Sequence, residues 1–90
     1  MKRHYNITVK GRVQGVGFRF ETQRQARFMG IRGFVKNQHD GSVYIEAEGE
    51  EDILQQFLNW CHHGPSFANV SKVHYNEDEK QGYTSFDVRF

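Results

Sequence analysis

Residues 4–30 read HYNITVKGRVQGVGFRFETQRQARFMG, and the change of period within this stretch decides the architecture. From His4 to Val13 apolar and polar residues alternate. Tyr5, Ile7, Val9 and Val13 share one face and Lys10 and Arg12 the other, the pattern of a strand with one buried side. Residues 14–18, QGVGF, interrupt the alternation with two glycines. From Arg19 onward Thr22, Ala26 and Met29 recur at the spacing of one helical face, and Gly30 supplies a helix C-terminus. A strand therefore hands over to a helix through a glycine loop.

Working outward, residues 33–38 and 42–48 flank the turn segment His39, Asp40, Gly41, with Val43, Ile45 and Ala47 inward and Tyr44, Glu46 and Glu48 outward. This is a hairpin with an Asp-Gly turn signal. Glu50, Glu51 and Asp52 then place negative charge where a helix dipole favours it, ahead of an apolar stripe of Ile53, Leu54, Phe57, Leu58 and Cys61. His62, His63, Gly64 and Pro65 end that helix. A strand around Val70 to Tyr75, a polar hairpin from Asn76 to Gly82, and a last strand alternating Phe86, Val88 and Phe90 with Asp87 and Arg89 complete the chain. The order is β, α, β, β, α, β, β. One-sided strands separated by two amphipathic helices are satisfied by an α+β sandwich. The simplest topology is the ferredoxin-like split βαβ arrangement, an antiparallel sheet with both helices on one face.

Ninety residues with 37% hydrophobic and 26% charged side chains suit a single domain over residues 1–90. No apolar run approaches the roughly 18–20 residues of a membrane span, and Met1 to Lys10 alternates instead of forming a signal-peptide core. A cytoplasmic location without a membrane partner is expected. Twelve Lys and Arg against eleven Asp and Glu leave a net charge of +1, too balanced for the electrostatic footprint of a typical nucleic-acid binder. The single cysteine, Cys61, excludes an internal disulfide and any multi-cysteine zinc site, so stability has to come from the apolar core.

The chemistry concentrates in GRVQGVGFR, residues 11–19, at the junction of strand and helix. Glycines allow positive φ and close approach of a ligand, and amides turned inward before a helix make a concave site of partial positive charge suited to a phosphate. Arg19 adds a planar guanidinium able to grip two phosphate oxygens at once. The same spacing also fits a plain tight turn, with Gly15 and Gly17 as turn residues and Arg19 as a solvated helix residue. Neither named phosphate motif matches. A P-loop requires Gly-Lys followed by Ser or Thr, and a dinucleotide fingerprint requires a third glycine where Phe20 stands.

Asn37 is the second candidate. It shares the parity of Val35, which points it toward the helix-covered face, where it could orient a water. The competing reading is a strand-end asparagine bonded to the following turn. His62 and His63 diverge on a helix, and His4, His39 and His74 show no ligand spacing, so all five histidines read as surface residues and no metal site is expected. Cys61 lies on an apolar stripe without a base or orienting group and reads as a buried thiol. Arg32, Gly33, Phe34 and Val35 match part of an RNA-recognition strand, but its remaining aromatic positions are missing.

GRVQGVGFR at 11–19 followed by Thr22 and Ala26, GFVKNQHDGSV at 33–43, Gly49 and the helix after it, and GPSFANVSKV at 64–73 together are similar to the acylphosphatase family over nearly the whole chain. The resemblance implies a ferredoxin-like sandwich. It also implies a metal-free, cofactor-free hydrolase that splits the carboxyl–phosphate bond of small acyl phosphates into a carboxylate and inorganic phosphate. Arg19 would bind the substrate phosphate, and Asn37 would position the attacking water. The loop of Gln14, Gly15, Val16, Gly17 and Phe18 would complete the phosphate cradle with its amides. Phe34 stands where the family often has another aromatic, and Met29 and Ile31 flank Gly30 where leucines are frequent. Neither difference touches these roles.

On this reading the chain is a monomer acting on a small molecule, with inorganic phosphate as product and inhibitor and no nucleic-acid partner. The alternative is a catalytically inactive phosphate- or RNA-binding module on the same fold, against which Arg19 and Asn37 speak. The sequence shows no pocket that would select the acyl group.

Overall fold

The computed structural model describes all of residues 1–90. Strand β1 (Lys2–Arg12), helix α1 (Phe18–Phe28), strands β2 (Arg32–Asn37) and β3 (Val43–Glu50), helix α2 (Glu51–His63), and strands β4 (Asn69–Asp78) and β5 (Phe86–Arg89) follow one another in the order read from the sequence. They form one sheet ordered β4-β1-β3-β2-β5. Alternation sets the register: Ile7 lies opposite Ile45 and Tyr75, and Val35 opposite Ile45, so one sheet face is continuously apolar. Both helices pack on that face. Ile7, Val9, Val35, Val43 and Ile45 are buried there against Phe18 and Ala26 of α1 and Leu54, Phe57 and Cys61 of α2. Thr22 enters this core at no unsatisfied polar cost, because its hydroxyl donates to the Phe18 carbonyl at 2.7 Å. Neither helix is long and apolar enough to cross a membrane.

Strands β4, β1, β3 and β2 are antiparallel as expected, but β5 is not: it pairs parallel with β2, Val35 against Val88, which makes the sheet mixed. The cause is geometric. β4 occupies one edge, beside β1, and the free edge of β2 is at the other, so the chain crosses the width of the sheet between Asp78 and Phe86 before it can pair. The expected polar hairpin over 76–82 is instead the end of β4 followed by this crossing strap.

The strap also changes the second face of the sheet. His4, read as a surface residue, is fully buried, with Glu48 on its Nδ1 at 2.9 Å and Glu46 on its Nε2. Glu48, expected outward, is buried as well, and accepts the backbone N–H groups of Gln81 and Gly82 from the strap. Burial alone would raise the Glu48 pKa. The amides of Gln81 and Gly82 together with His4 outweigh it and hold the carboxyl below its ordinary range. Tyr83 completes the cover, stacked on His4 and edge-on to Phe34. This polar seam lies at the start of β1 and the end of β3, the end of the sheet opposite to the glycine loop.

Candidate active site

The glycine loop ends in α1, whose N-cap is Gly17 with φ 77° and ψ 15° and no side-chain cap. Gly15, two residues earlier, has φ 73°. Both conformations are left-handed, and an added Cβ at either position would meet nothing within 4 Å, so backbone conformation rather than space selects glycine here. The N–H groups of Gln14 to Phe20 find no backbone acceptor, those of Gly17 to Phe20 because the first turn of a helix leaves them unbonded and those of Gln14 to Val16 because the loop pairs with no strand. The segment therefore presents donors and the positive end of a helix dipole.

Arg19, the second residue of α1, is half-buried and takes part in none of the chain's ion pairs. Its Nη1 donates to the Arg89 carbonyl at 3.0 Å, and its guanidinium lies 4.6 Å from the centroid of the Phe90 ring. The end of β5 thus props the cation without neutralising it. This differs from a freely solvated helix residue.

Asn37 is the last residue of β2, opposite Val43. The turn after it is organised by Asp40, which accepts the Ser42 amide at 3.0 Å and hydroxyl at 2.6 Å, bonds that hold its carboxyl below the ordinary range. Asn37 is not needed for that turn. Its Oδ1 is buried without a hydrogen-bond partner, an arrangement that costs about 1–3 kcal/mol unless a ligand or water is bound there. Gln14 locks loop to hairpin, its Nε2 donating to the carbonyls of Gln38 at 2.8 Å and Ser42 at 2.9 Å.

These constraints converge on one pocket of about 90 Å³ lined by Val13, Gly15, Gly17, Phe18, Arg19, Phe20 and Asn37. Drug-sized ligands occupy roughly 300–1,000 Å³, so the pocket itself suits a group the size of a phosphoryl. It joins Arg19 and Asn37, which are 18 positions apart in sequence, with three of the other expected loop positions, Gly15, Gly17 and Phe18. Gln14 and Val16 do not line it: Gln14 braces the hairpin and Val16 packs against the core. Sequence reasoning missed the Arg89 carbonyl and the Phe90 ring. The parity of Phe90 with Phe86 and Val88 was the available signal, but only the pairing of β5 with β2 brings it to Arg19.

The family model for acylphosphatase matches residues 5–88. The chain belongs to the acylphosphatase family. An acylphosphatase of Archaeoglobus fulgidus is 50% identical over 84 residues, covering 93% of this chain and 94% of its own, and one of Thermotoga petrophila is 46% identical over 84 residues, covering 93% of each. The crystal structure of the acylphosphatase from Bacillus subtilis superposes with a TM-score of 0.95 at 40% identity over the full length of both chains. The mixed sheet with its parallel last strand is thus compatible with the acylphosphatase fold.

No cysteine or histidine lines this acylphosphatase pocket. Cys61 is fully buried, and burial pushes its thiol pKa far up, as expected of an inert core thiol. His39, His62, His63 and His74 are exposed.

Proposed function

We propose that the chain hydrolyses small acyl phosphates by direct attack of water on phosphorus, with Arg19 and the loop amides holding the phosphoryl group and Asn37 orienting the water. One observation carries this reading: a guanidinium free of ion pairs, residues whose N–H groups have no backbone acceptor and the side chain of Asn37 line a single phosphate-sized pocket.

In the reaction the bond between phosphorus and the carboxyl oxygen breaks and a new bond forms from phosphorus to the water oxygen. The electron pair leaves with the carboxylate. Carboxylate is a good leaving group, so the protein mainly positions the reactants and stabilises charge on the equatorial phosphoryl oxygens. Arg19 supplies a bidentate positive partner, and the amides of the loop add fixed dipoles that need no reorganisation. The Asn37 carboxamide hydrogen-bonds the water and so aims its lone pair at phosphorus. An amide is not a base, and the water's proton passes to a substrate oxygen or to solvent. Neither step calls on a metal or a cofactor, and the substrate is a small molecule.

Turnover of acetyl phosphate in the presence of a chelator tests the reading. The wild type is expected to hydrolyse it. Arg19→Ala should lose about 100- to 1,000-fold in turnover, the usual effect of removing one preorganised donor, and should bind inorganic phosphate less well. Near-normal activity of that variant would refute the assignment. Phosphate binding without turnover by the wild type would make the chain a binding module on the same fold.

A further inference from the structure

The helix-free face of the sheet separates its charges. There the register places Thr8, Tyr44, Lys36 and Arg89 in one row across β1, β3, β2 and β5, and Lys10 opposite Lys72 in the next row towards the glycine loop. Tyr44, on the central strand, therefore has two cations on either side: Lys10 and Lys72 on β1 and β4, Lys36 and Arg89 on β2 and β5. All four cations are exposed, and none enters an ion pair. The acids of the same face lie towards the strap and are occupied. Glu46 accepts the Tyr44 hydroxyl and faces His4, Glu48 holds the strap, Asp78 accepts from Asn6 at 3.3 Å and Asp87 from Ser85 at 2.8 Å. Asp40, in the hairpin turn, feels the charge of Lys10 but is bonded to Ser42. The net charge of +1 hides this separation, because the balance holds for the whole surface and not for this face.

The ring between these cations is an accessible one. The partial match to an RNA-recognition strand at Arg32 to Val35 points to Phe34, but Phe34 is 6% exposed, with the Arg89 guanidinium 3.7 Å from its centroid and Tyr83 edge-on to it. Tyr44 is half-exposed. The Lys36 ammonium lies 5.7 Å from its ring centroid, on a flexible stem that lets it leave the ring for a phosphate. An aromatic face set among cations meets the two needs of single-stranded nucleic acid, a surface on which bases stack and positive charge along the backbone. An acidic peptide would use the cations but offer nothing to stack on the ring. From β4 to β5 the cations span roughly 19 Å at ordinary strand spacing, too broad for one small anion.

We propose that this end of the open sheet face binds single-stranded nucleic acid, with a base stacked on Tyr44 and phosphates paired with Lys10, Lys72, Lys36 and Arg89. Phosphate pairing supplies the affinity and makes it salt-dependent, and the stack distinguishes a nucleic acid from any other polyanion. None of these five residues lines the phosphate pocket, so the surface functions whether or not the chain turns over acyl phosphates.

Fluorescence anisotropy with labelled oligo(U) and oligo(dT) of about 12 residues tests the proposal, the two arms separating RNA from DNA. Pairing with four phosphates gives a slope of about −3 for the logarithm of the association constant against that of salt, so affinity should fall about 50-fold between roughly 50 and 200 mM. The double variant Lys10→Gln, Lys72→Gln should halve that slope. The same charge change in Lys2→Gln, Lys80→Gln, at the start of β1 and in the strap, should leave it unchanged. Tyr44→Phe should keep the affinity, and Tyr44→Leu should lower it about 5- to 150-fold through loss of the stack, each variant being measured well below its melting temperature. No binding by the wild type at low salt, an equal effect of the two double lysine variants, equal affinity of Tyr44→Phe and Tyr44→Leu, or equally tight binding of polyglutamate of the same charge would overturn the proposal.

Discussion

Replacing Gly17 by alanine isolates the contribution of backbone conformation to the site. At φ 77° an L-residue crowds its Cβ against its own backbone, at a cost of about 1–2 kcal/mol, and no neighbouring atom lies within 4 Å to add a packing clash. For a domain of this size each kcal/mol lowers Tm by roughly 4–8 °C, so Gly17→Ala should melt about 4–16 °C below the wild type. The alternative for the chain is to relax φ to a negative value, which turns the loop amides away from the pocket. Either way phosphate inhibition should weaken. Thermal unfolding and phosphate inhibition measure the two effects separately. A chain of this length is accessible to chemical synthesis, and D-alanine at position 17 adopts positive φ without strain. It should restore both Tm and phosphate inhibition. A D-alanine variant as impaired as the L-alanine one, or an L-alanine variant indistinguishable from the wild type, would refute the argument that glycine is required here for its conformation.

Glu48→Gln should destabilise the protein at pH 7 by about 1–3 kcal/mol, since the strap amides and His4 are bonded to a charged acceptor. The Glu48 pKa is lowered in the folded state, so its contribution is present above the unfolded carboxyl pKa and is lost as pH falls through the folded value. The gap between wild type and variant in denaturant melts should accordingly close on acidification, and a gap independent of pH would contradict this. Phe90→Ala removes a cation–π contact worth about 0.5–1 kcal/mol at an exposed site, so kcat/KM for acetyl phosphate should fall roughly 2- to 5-fold with little change in Tm. A loss approaching that of Arg19→Ala would mean that Phe90 does more than prop the guanidinium.

The parts of the molecule that were legible in the sequence depend on local rules. Alternation from Tyr5 to Val13 gave β1, the 3.6-residue spacing gave both helices, and Asp40-Gly41 gave the hairpin that brings Asn37 to the end of β2. Gly15 and Gly17 were readable because positive φ selects glycine wherever it occurs. What escaped depends on where the chain goes after β4. The polar run 79–85 has no periodicity, yet its crossing makes β5 parallel to β2, buries His4 and Glu48 beneath the strap, and delivers Arg89 and Phe90 to Arg19. An even-numbered polar residue on a one-sided strand, such as His4, reads as exposed unless the cover over that face is known. Asn37 is the intermediate case: parity gave its direction, but its lack of a partner appears only once Asp40 is seen to hold the turn.

The central claim is the division of labour between Arg19 and Asn37, and steady-state hydrolysis of acetyl phosphate by Asn37→Ala, with inorganic phosphate inhibition measured on the same folded sample, tests it most directly. Loss of the water's alignment should lower kcat by about 100-fold or more, while inhibition by inorganic phosphate stays close to that of the wild type. A parallel loss of turnover and phosphate affinity would place Asn37 on the phosphate and contradict the account.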